Sequence, residues 1–207
     1  MTTRLGATQI IAIITVAVSA LAILTNLNLA VAAGGFIPAR LSGALALQGA
    51  LPAILTPWTA ELLHGGWTHL FVNMIMLMLV GPQVERVVGG KGFVAAYVIG
   101  AFAAAMGQFL WDPSSMTPMV GASGAISTVF GLYSLFYGRP PQISGNQKIN
   151  RAAHVVWLLV TWILINLATA FMAGQSGVLL ATPAHVAGFV AGILLQRPLL
   201  LWRYRKA

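Results

Sequence analysis

The sequence contains no cysteine and very little charge. Only 7% of its 207 residues are charged, and three residues in the chain are acidic. A soluble domain carries about 25% charged residues. The lack of cysteine excludes disulfide bonds, thiolate metal sites and cysteine nucleophiles. The scarcity of charge, with 58% hydrophobic residues and a mean hydropathy of +0.87, excludes an ordinary soluble domain and predicts a polytopic membrane protein.

Six segments are candidates for membrane spans, each near the ~20 apolar residues that a bilayer requires. Glycine- and proline-rich turns separate most of them. The segment 34–68 contains three prolines and is too interrupted to span, so we expect an interfacial or protein-packed first loop. The sequence thus predicts a single all-α membrane domain over residues 1–207 with six transmembrane helices. The predicted spans are 8–33, 69–88, 92–111, 122–138, 152–174 and 184–201.

The positive charges follow this topology. With a cytoplasmic N-terminus, ten Lys and Arg residues lie on the inner side, and the outer side has only Arg40. Cytoplasmic loops carry an excess of Lys and Arg, so both termini are predicted to be cytoplasmic. The net charge of +8 then requires no nucleic-acid partner. The inner residues are Arg4, Arg86, Lys91, Arg139, Lys148, Arg151, Arg197, Arg203, Arg205 and Lys206.

A cleaved signal peptide is the alternative interpretation of the first span. A basic start, an apolar run and the sequence AVAAGG resemble the three regions of such a peptide. The apolar run is longer than an ordinary signal sequence, which favours a retained span. Loss of this span would leave the topology of the other five unchanged.

Polar residues occur in the first turns of three predicted spans that enter from the same side. His69 and Asn73 lie four residues apart, on one face of the second span. Ser123 begins the fourth span, and His185 begins the sixth. Strongly polar residues inside a membrane are costly and indicate function. Their common depth predicts a site in the outer part of the membrane.

Small residues recur every four positions on the fourth and sixth spans. Such stripes allow helix backbones to approach closely in lipid. Packing one stripe against the other would bring Ser123 and His185 together. The two stripes are Ser123, Ser127 and Gly131, and Ala184, Gly188 and Gly192.

These residue types are suited to acyl transfer. A serine hydroxyl becomes a nucleophile when a base takes its proton, and neutral His185 is suited to that role. The side chains of His69 and Asn73, with the backbone N–H of Ser123, are candidate donors to the oxyanion. No acid is well placed as a third member, so the sequence predicts a Ser–His dyad. Helix packing alone is the alternative role for Ser123.

Other roles for the histidines are disfavoured. His64 precedes the second span, where hydrogen bonds that tie the loop to this span are favoured over a catalytic role. The histidines near the outer side are poor candidates for a metal site, because carboxylates are sparse and no H-E-x-x-H motif occurs. We therefore predict no metal and no cofactor.

Four motifs together resemble the rhomboid family of intramembrane serine proteases, over roughly residues 54–195. They are HGGWTHLFVN at 64–73, VERVVG at 84–89, GASG at 121–124 and AHVAGFVAG at 184–192. The resemblance implies that Ser123 is the nucleophile, with His185 as its general base. It also implies that His69, Asn73 and the Ser123 N–H stabilise the oxyanion. His64, Gly121, Gly124, Ser127, Gly188 and Gly192 would be structural residues near the site.

The resemblance also implies that the protein cleaves transmembrane protein substrates within the lipid bilayer. The resemblance and the predicted topology together favour a bacterial inner membrane, which the short termini also suit. Two features depart from the family pattern. Ser127 occupies a position where many members have an aromatic residue stacked on the catalytic histidine. The first loop also lacks the Trp-Arg pair of many bacterial members.

An inactive rhomboid-like protein that binds membrane clients is the alternative function. A small transporter is a third, disfavoured because no inverted repeat is apparent.

Overall fold

The computed structural model describes residues 5–139, 142–172 and 182–205. These residues form helices joined by turns, and no strand occurs among them apart from an isolated bridge between Phe36 and Met119. Two short 3₁₀ helices, Ala53–Leu55 and Ala60–Leu62, lie in the first loop. The α-helices are α1 (Ala7–Leu24), α2 (Leu27–Gly34), α3 (Pro38–Leu41), α4 (Thr56–Thr59), α5 (Trp67–Trp111), α6 (Ser123–Tyr137), α7 (Gln147–Met172) and α8 (Thr182–Arg203).

Four helices of the described residues are long and apolar enough to cross a membrane. They are α1, α5, the first 19 residues of α7, and α8. The boundaries of the fourth and sixth predicted spans agree with α6 and α8 to within two residues. The predicted end of the fifth span, at residues 173–174, lies outside the described residues.

The first predicted span, 8–33, was wrong as one continuous helix. The helix α1 ends at Leu24, and α2 begins at Leu27. The side chain of Asn26 accepts a hydrogen bond from the N–H of Leu29 at 3.0 Å and caps α2. Asn side chains favour this N-cap position because they satisfy a free N–H of the first turn. Hydropathy alone does not detect such a break.

The helix α5 reverses direction at Gly89. This residue has φ 75° and ψ 163°, a backbone conformation that glycine adopts easily. A Cβ on Gly121 would lie 2.8 Å from Nε2 of His69, and a Cβ on Gly124 would lie 2.7 Å from Ala104, so His69 and Ala104 both lie near the start of α6. Gln83 lies near the other end of α6, where its carbonyl accepts a hydrogen bond from Tyr137 Oη at 3.1 Å. The two halves of α5 are therefore antiparallel. At 1.5 Å per residue, each half is long enough to cross a hydrocarbon core of ~30 Å.

The bundle has two chemically different ends. We call the end that contains Ser123 and His185 the serine end, and the end that contains the turn at Gly89 the basic end. At the basic end, the carboxylate of Glu85 accepts hydrogen bonds from the backbone N–H groups of Ala7 and Thr8, at 2.7 and 2.9 Å. This carboxylate thereby caps α1, where a negative charge is favourable.

The first loop is packed on the protein. Phe36 and Ile37 are buried, and the N–H and C=O groups of Phe36 pair with those of Met119. The side chain of Thr59 donates to the carbonyl of Gly34 at 2.6 Å. These contacts fix the loop against the segment that leads into α6.

The helix α6 lies at the centre of the bundle, between α5 and α8. It has 15 residues, and those from Gly124 to Leu132 are buried. Its contact with α8 is parallel and very close. A Cβ on Gly188 would overlap the carbonyl oxygen of Gly124, and a Cβ on Gly192 would overlap that of Thr128. The predicted stripes therefore meet, with Gly124 and Thr128 as further members of the interface.

We expect Gly192→Ala to destabilise the protein, because the added methyl group would press against the backbone of α6. Overpacking of this kind costs about 1–3 kcal/mol. Thermal unfolding of the purified protein in detergent measures the loss. Gly145→Ala is the matched control, since no atom lies within 4 Å of the position its Cβ would take. Equal unfolding temperatures for the two variants would contradict this account of the helix contact.

Candidate active site

Ser123 and His185 are in contact at the serine end. Ser123 is the first residue of α6 and is partly exposed, while His185 lies in the first turn of α8 and is 5% exposed. The Oγ of Ser123 lies 2.8 Å from Nε2 of His185. This is hydrogen-bonding distance, and in the neutral ring Nε2 can accept the hydroxyl proton.

Backbone contacts one turn into α8 set the position of His185. Thr128 Oγ1 donates to the carbonyl of Gly188 at 2.7 Å, inside the α6–α8 contact. Among the described residues, no aromatic ring stacks on His185. The helix contact therefore holds the first turn of α8 beside that of α6, and the His185 ring contacts Ser123 Oγ.

Ser127 links three parts of the site. Its Oγ donates to the carbonyl of Ser123 at 2.7 Å and accepts a hydrogen bond from Nε1 of Trp162 on α7. Trp162 is buried and stacks on Phe130, with ring centroids 4.9 Å apart. Ser127 thus ties the first turn of α6 to α7. Trp162 was missed from the sequence, because nothing in the apolar pattern of the fifth span marks it.

His69 faces the residues that precede Ser123. The N–H of Gly65 donates to Nδ1 of His69 at 3.3 Å, so the neutral ring carries its proton on Nε2. A Cβ on Gly121 would lie 2.8 Å from that Nε2. Gly121 also has φ +119°, a conformation that other residues rarely adopt. Glycine at 121 therefore allows His69 to lie directly beside the start of α6.

Asn73 lies one turn after His69 on the same helix face and is 6% exposed. Its Nδ2 donates to the carbonyl of His69 at 2.9 Å. An amide nitrogen has two hydrogens, so one remains for a further acceptor. The structure places Asn73 at the serine end, with its amide bonded to its own helix.

His64 has a bonding pattern that fixes its tautomer. Its Nε2 accepts a hydrogen bond from the N–H of Ala122 at 3.3 Å, so Nδ1 carries the proton. Nδ1 lies 2.9 Å from Ser19 Oγ, which in turn donates to the carbonyl of Leu62 at 2.7 Å. Burial, reinforced by the nearby His69, lowers the pKa of His64 to about 3. The ring is therefore neutral at physiological pH.

Glu61 is a second residue that the sequence did not single out. Its side chain is 3% exposed, and Oε2 accepts a hydrogen bond from the N–H of Ala125 at 3.3 Å. A Cβ on Gly124 would lie 3.1 Å from Oε1. Burial raises the pKa of Glu61 to about 8, opposed by the hydrogen bond from Ala125. No sequence motif pairs a glutamate with a backbone N–H 64 residues later.

The first-turn N–H groups of α6 divide into two sets. Those of Ala122 and Ala125 donate to His64 and Glu61. Those of Ser123 and Gly124 have no acceptor within the described part of the chain. Unpaired N–H groups at a helix N-terminus attract negative charge. The Ser123 N–H is therefore available to a ligand beside its own hydroxyl.

The histidines do not form a metal-binding group with other ligands. No three His, Cys, Asp or Glu residues among those described lie together as a metal site. His64 and His69 are neighbours, with ring centroids 5.0 Å apart. Both rings are engaged by backbone N–H groups.

Comparison with known proteins identifies the family. The family model of the rhomboid domain matches residues 53–202 of this chain. The chain belongs to the rhomboid family. With its long apolar helices, this makes it an integral membrane protein.

Several rhomboid relatives align with about two thirds of the chain. RHOMBOID-like protein 5 of Arabidopsis thaliana is 33% identical over 141 residues, which cover 67% of this chain and 42% of the relative. Rhomboid protease AarA of Providencia stuartii is 30% identical over 156 residues, covering 65% and 52%. Rhomboid protease GluP of Bacillus subtilis is 29% identical over 148 residues, covering 72% and 26%. The chain thus spans about half or less of the length of these rhomboid relatives.

Acid should destabilise this rhomboid domain partly through His64. The folded-state pKa is about 3 and the ordinary value is 6.5, so the stability contributed by neutral His64 is complete above pH 6.5. It is lost as the pH falls from 6.5 towards 3. We expect the unfolding temperature of the wild type to fall by several degrees more than that of His64→Gln over this range.

His154→Gln is the matched control for this titration. His154 lies on α7, beside Gly138 at the basic end. It removes a histidine at the other end of the bundle, so an acid dependence that changes only in His64→Gln locates the effect at His64. An identical acid dependence in His64→Gln and the wild type would contradict a neutral, buried His64.

Proposed function

We propose that this protein is an intramembrane serine endopeptidase that cleaves transmembrane protein substrates with a Ser–His dyad. The observation that carries the proposal is the 2.8 Å separation of Ser123 Oγ and His185 Nε2. Two features of their surroundings support it. Ser123 is partly exposed, and an unpaired N–H group lies beside its hydroxyl.

The topology that we propose has six membrane spans with both termini in the cytoplasm. The reversal at Gly89 divides α5 into two spans, and α6 supplies a short one inside the bundle. The basic end then faces the cytoplasm, because it carries most of the Lys and Arg residues. Trp67 and Trp111, exposed at the serine end, fit the aromatic belt of the outer interface.

In the first chemical step, an extended substrate segment places its scissile carbonyl beside Ser123. His185 Nε2 takes the hydroxyl proton as the Ser123 oxygen attacks the carbonyl carbon. The resulting oxyanion receives hydrogen bonds from the N–H of Ser123, from Nε2–H of His69 and from the second Nδ2 hydrogen of Asn73. Donors held in place before the reaction stabilise this charge more effectively than mobile water does.

The intermediate collapses when protonated His185 gives its proton to the leaving amine. The first product departs, and an ester joins the remaining acyl group to Ser123. Water then attacks this ester with His185 again as the base, which releases the new carboxyl terminus and restores the hydroxyl. Because Ser123 is partly exposed, water can reach the acyl group. No step requires a metal or cofactor.

The proposal predicts that Ser123→Ala and His185→Ala each lower the rate of substrate cleavage by at least about a thousandfold, because the dyad acts as a unit. Purified protein in lipid vesicles, mixed with a panel of single-span membrane proteins, provides the measurement. Ser134→Ala is the matched control, since Ser134 lies near the opposite end of α6 and donates to the carbonyl of Gly131. It should cleave at the wild-type rate.

A fluorophosphonate probe separates a protease from a client-binding protein. Wild type should form a covalent adduct at Ser123, and Ser123→Ala should form none. Cleavage that persists in Ser123→Ala would overturn the proposed mechanism. Wild type that is neither labelled nor active, yet retains bound membrane proteins, would favour the client-binding function.

A further inference from the structure

A buried carboxyl group lies directly behind the nucleophile. Glu61 belongs to the 3₁₀ helix Ala60–Leu62, and its oxygens contact the two residues that follow Ser123. Oε2 accepts the Ala125 N–H, and Oε1 lies against Gly124. The same helix turn holds the free N–H of Ser123. The catalytic mechanism above gives this carboxyl group no role.

The surroundings of Glu61 contain no compensating positive charge. Among the described residues, no Lys or Arg forms an ion pair with it, and α1, which packs against this segment, carries no charged residue. On α5, Tyr97 is close enough to interact electrostatically; its Oη is buried and has no hydrogen-bond partner in the described chain. Three titratable histidines contact the residues from Gly121 to Ser123: His64, His69 and His185.

A buried carboxylate without a cation is unfavourable, so the group retains its proton. The Ala125 N–H is the contact that favours the charged form, and burial outweighs it. At neutral pH the carboxyl group is therefore uncharged. The change to the charged form occurs near pH 8, within the range in which enzymes are assayed.

We propose that neutral Glu61 is a positioning residue for the reaction of Ser123, and that loss of its proton slows that reaction. This inference rests on the proposed function. In the neutral form, Oε2 holds the Ala125 N–H and with it the first turn of α6. The Ser123 N–H then points to the oxyanion without competition from a nearby charge.

Ionised Glu61 opposes the transition state electrostatically. Its negative charge would adjoin the turn at which the oxyanion develops, in surroundings where charges are poorly screened. Glu61 contacts α6 and makes no hydrogen bond to His185. Because its hydrogen bond is to the first turn of α6, we expect its charge to act mainly on the oxyanion that forms beside that turn. The chemical step slows, whereas binding of an apolar substrate segment is little changed.

The test is the pH dependence of kcat and KM for a transmembrane substrate in lipid vesicles. Wild-type kcat should fall at least tenfold between pH 7 and 9.5, with the loss of one proton near pH 8 and little change in KM. Glu61→Gln keeps the hydrogen-bond acceptor without the ionisation. It should retain kcat within about threefold at pH 7 and show no alkaline fall. Glu61→Asp should restore the fall.

Asp112→Asn is the matched control for changing a carboxyl group to an amide. Asp112 lies in the loop after α5, where it accepts hydrogen bonds from Ser114. This variant should keep the alkaline fall of the wild type. An alkaline fall in Glu61→Gln equal to that of wild type would overturn the role of Glu61 and leave the proposed protease activity intact.

Infrared spectroscopy observes the proton without requiring activity. Wild type should show the C=O band of a protonated carboxyl group at pH 6, lose it by pH 9.5, and Glu61→Gln should lack it. Absence of the band in wild type at pH 6 would overturn the inference.

The inference stays testable if Glu61→Gln does not fold. In that case the pH midpoint of the infrared change in wild type must agree with the pH midpoint of the fall in kcat. A difference of more than one pH unit between them would overturn the inference. If wild type and Ser123→Ala cleaved the substrate at equal rates at every pH, the proposed function would be refuted. The positioning role of Glu61 would be refuted with it.

Discussion

The close contact between α6 and α8 is the constraint on which the site depends. Gly188 and Gly192 allow the backbones to approach until a methyl group at either position would overlap a carbonyl oxygen of α6. Because the helices are parallel, their first turns lie side by side at the serine end. Ser123 and His185 occupy those turns. In a membrane, where apolar side chains give helices little reason to associate, small residues supply the necessary packing. The packing of α6 against α8 thus also produces the contact between Ser123 and His185.

The short segment from Ala60 to His64 prepares the start of α6. The carbonyl of Ala60 accepts the N–H of Gly121, His64 accepts that of Ala122, and Glu61 accepts that of Ala125. One stretch of the first loop therefore satisfies the donors on both sides of Ser123. The loop determines which N–H groups of the helix remain free for a ligand. A loop packed on the protein, as this one is, can hold that arrangement.

The features that could be predicted from the sequence are those that depend on the identity and spacing of residues along the chain. Apolar length predicts the long helices, and alternation of direction predicts that His69, Ser123 and His185 share one end. Contacts that end on the backbone could not be predicted in this way. Glu61 bonds to the N–H of Ala125, and Asn26 caps α2 through the N–H of Leu29, yet every residue type except proline has such an N–H. The link from Trp162 to Ser127 was missed because it depends on how α7 is rotated.

In the proposed mechanism, the groups around Ser123 carry no charge before the reaction. His64 is held neutral by burial, and so is Glu61 below about pH 8. The donors near Ser123 are a backbone N–H, an imidazole and an amide. In apolar surroundings, a permanent cation would stabilise an oxyanion strongly, but it would cost much to bury without a partner. Neutral dipoles avoid this cost and already point to where the charge appears. One of the three acidic residues among the 207 can therefore lie buried behind Ser123, because burial keeps it protonated.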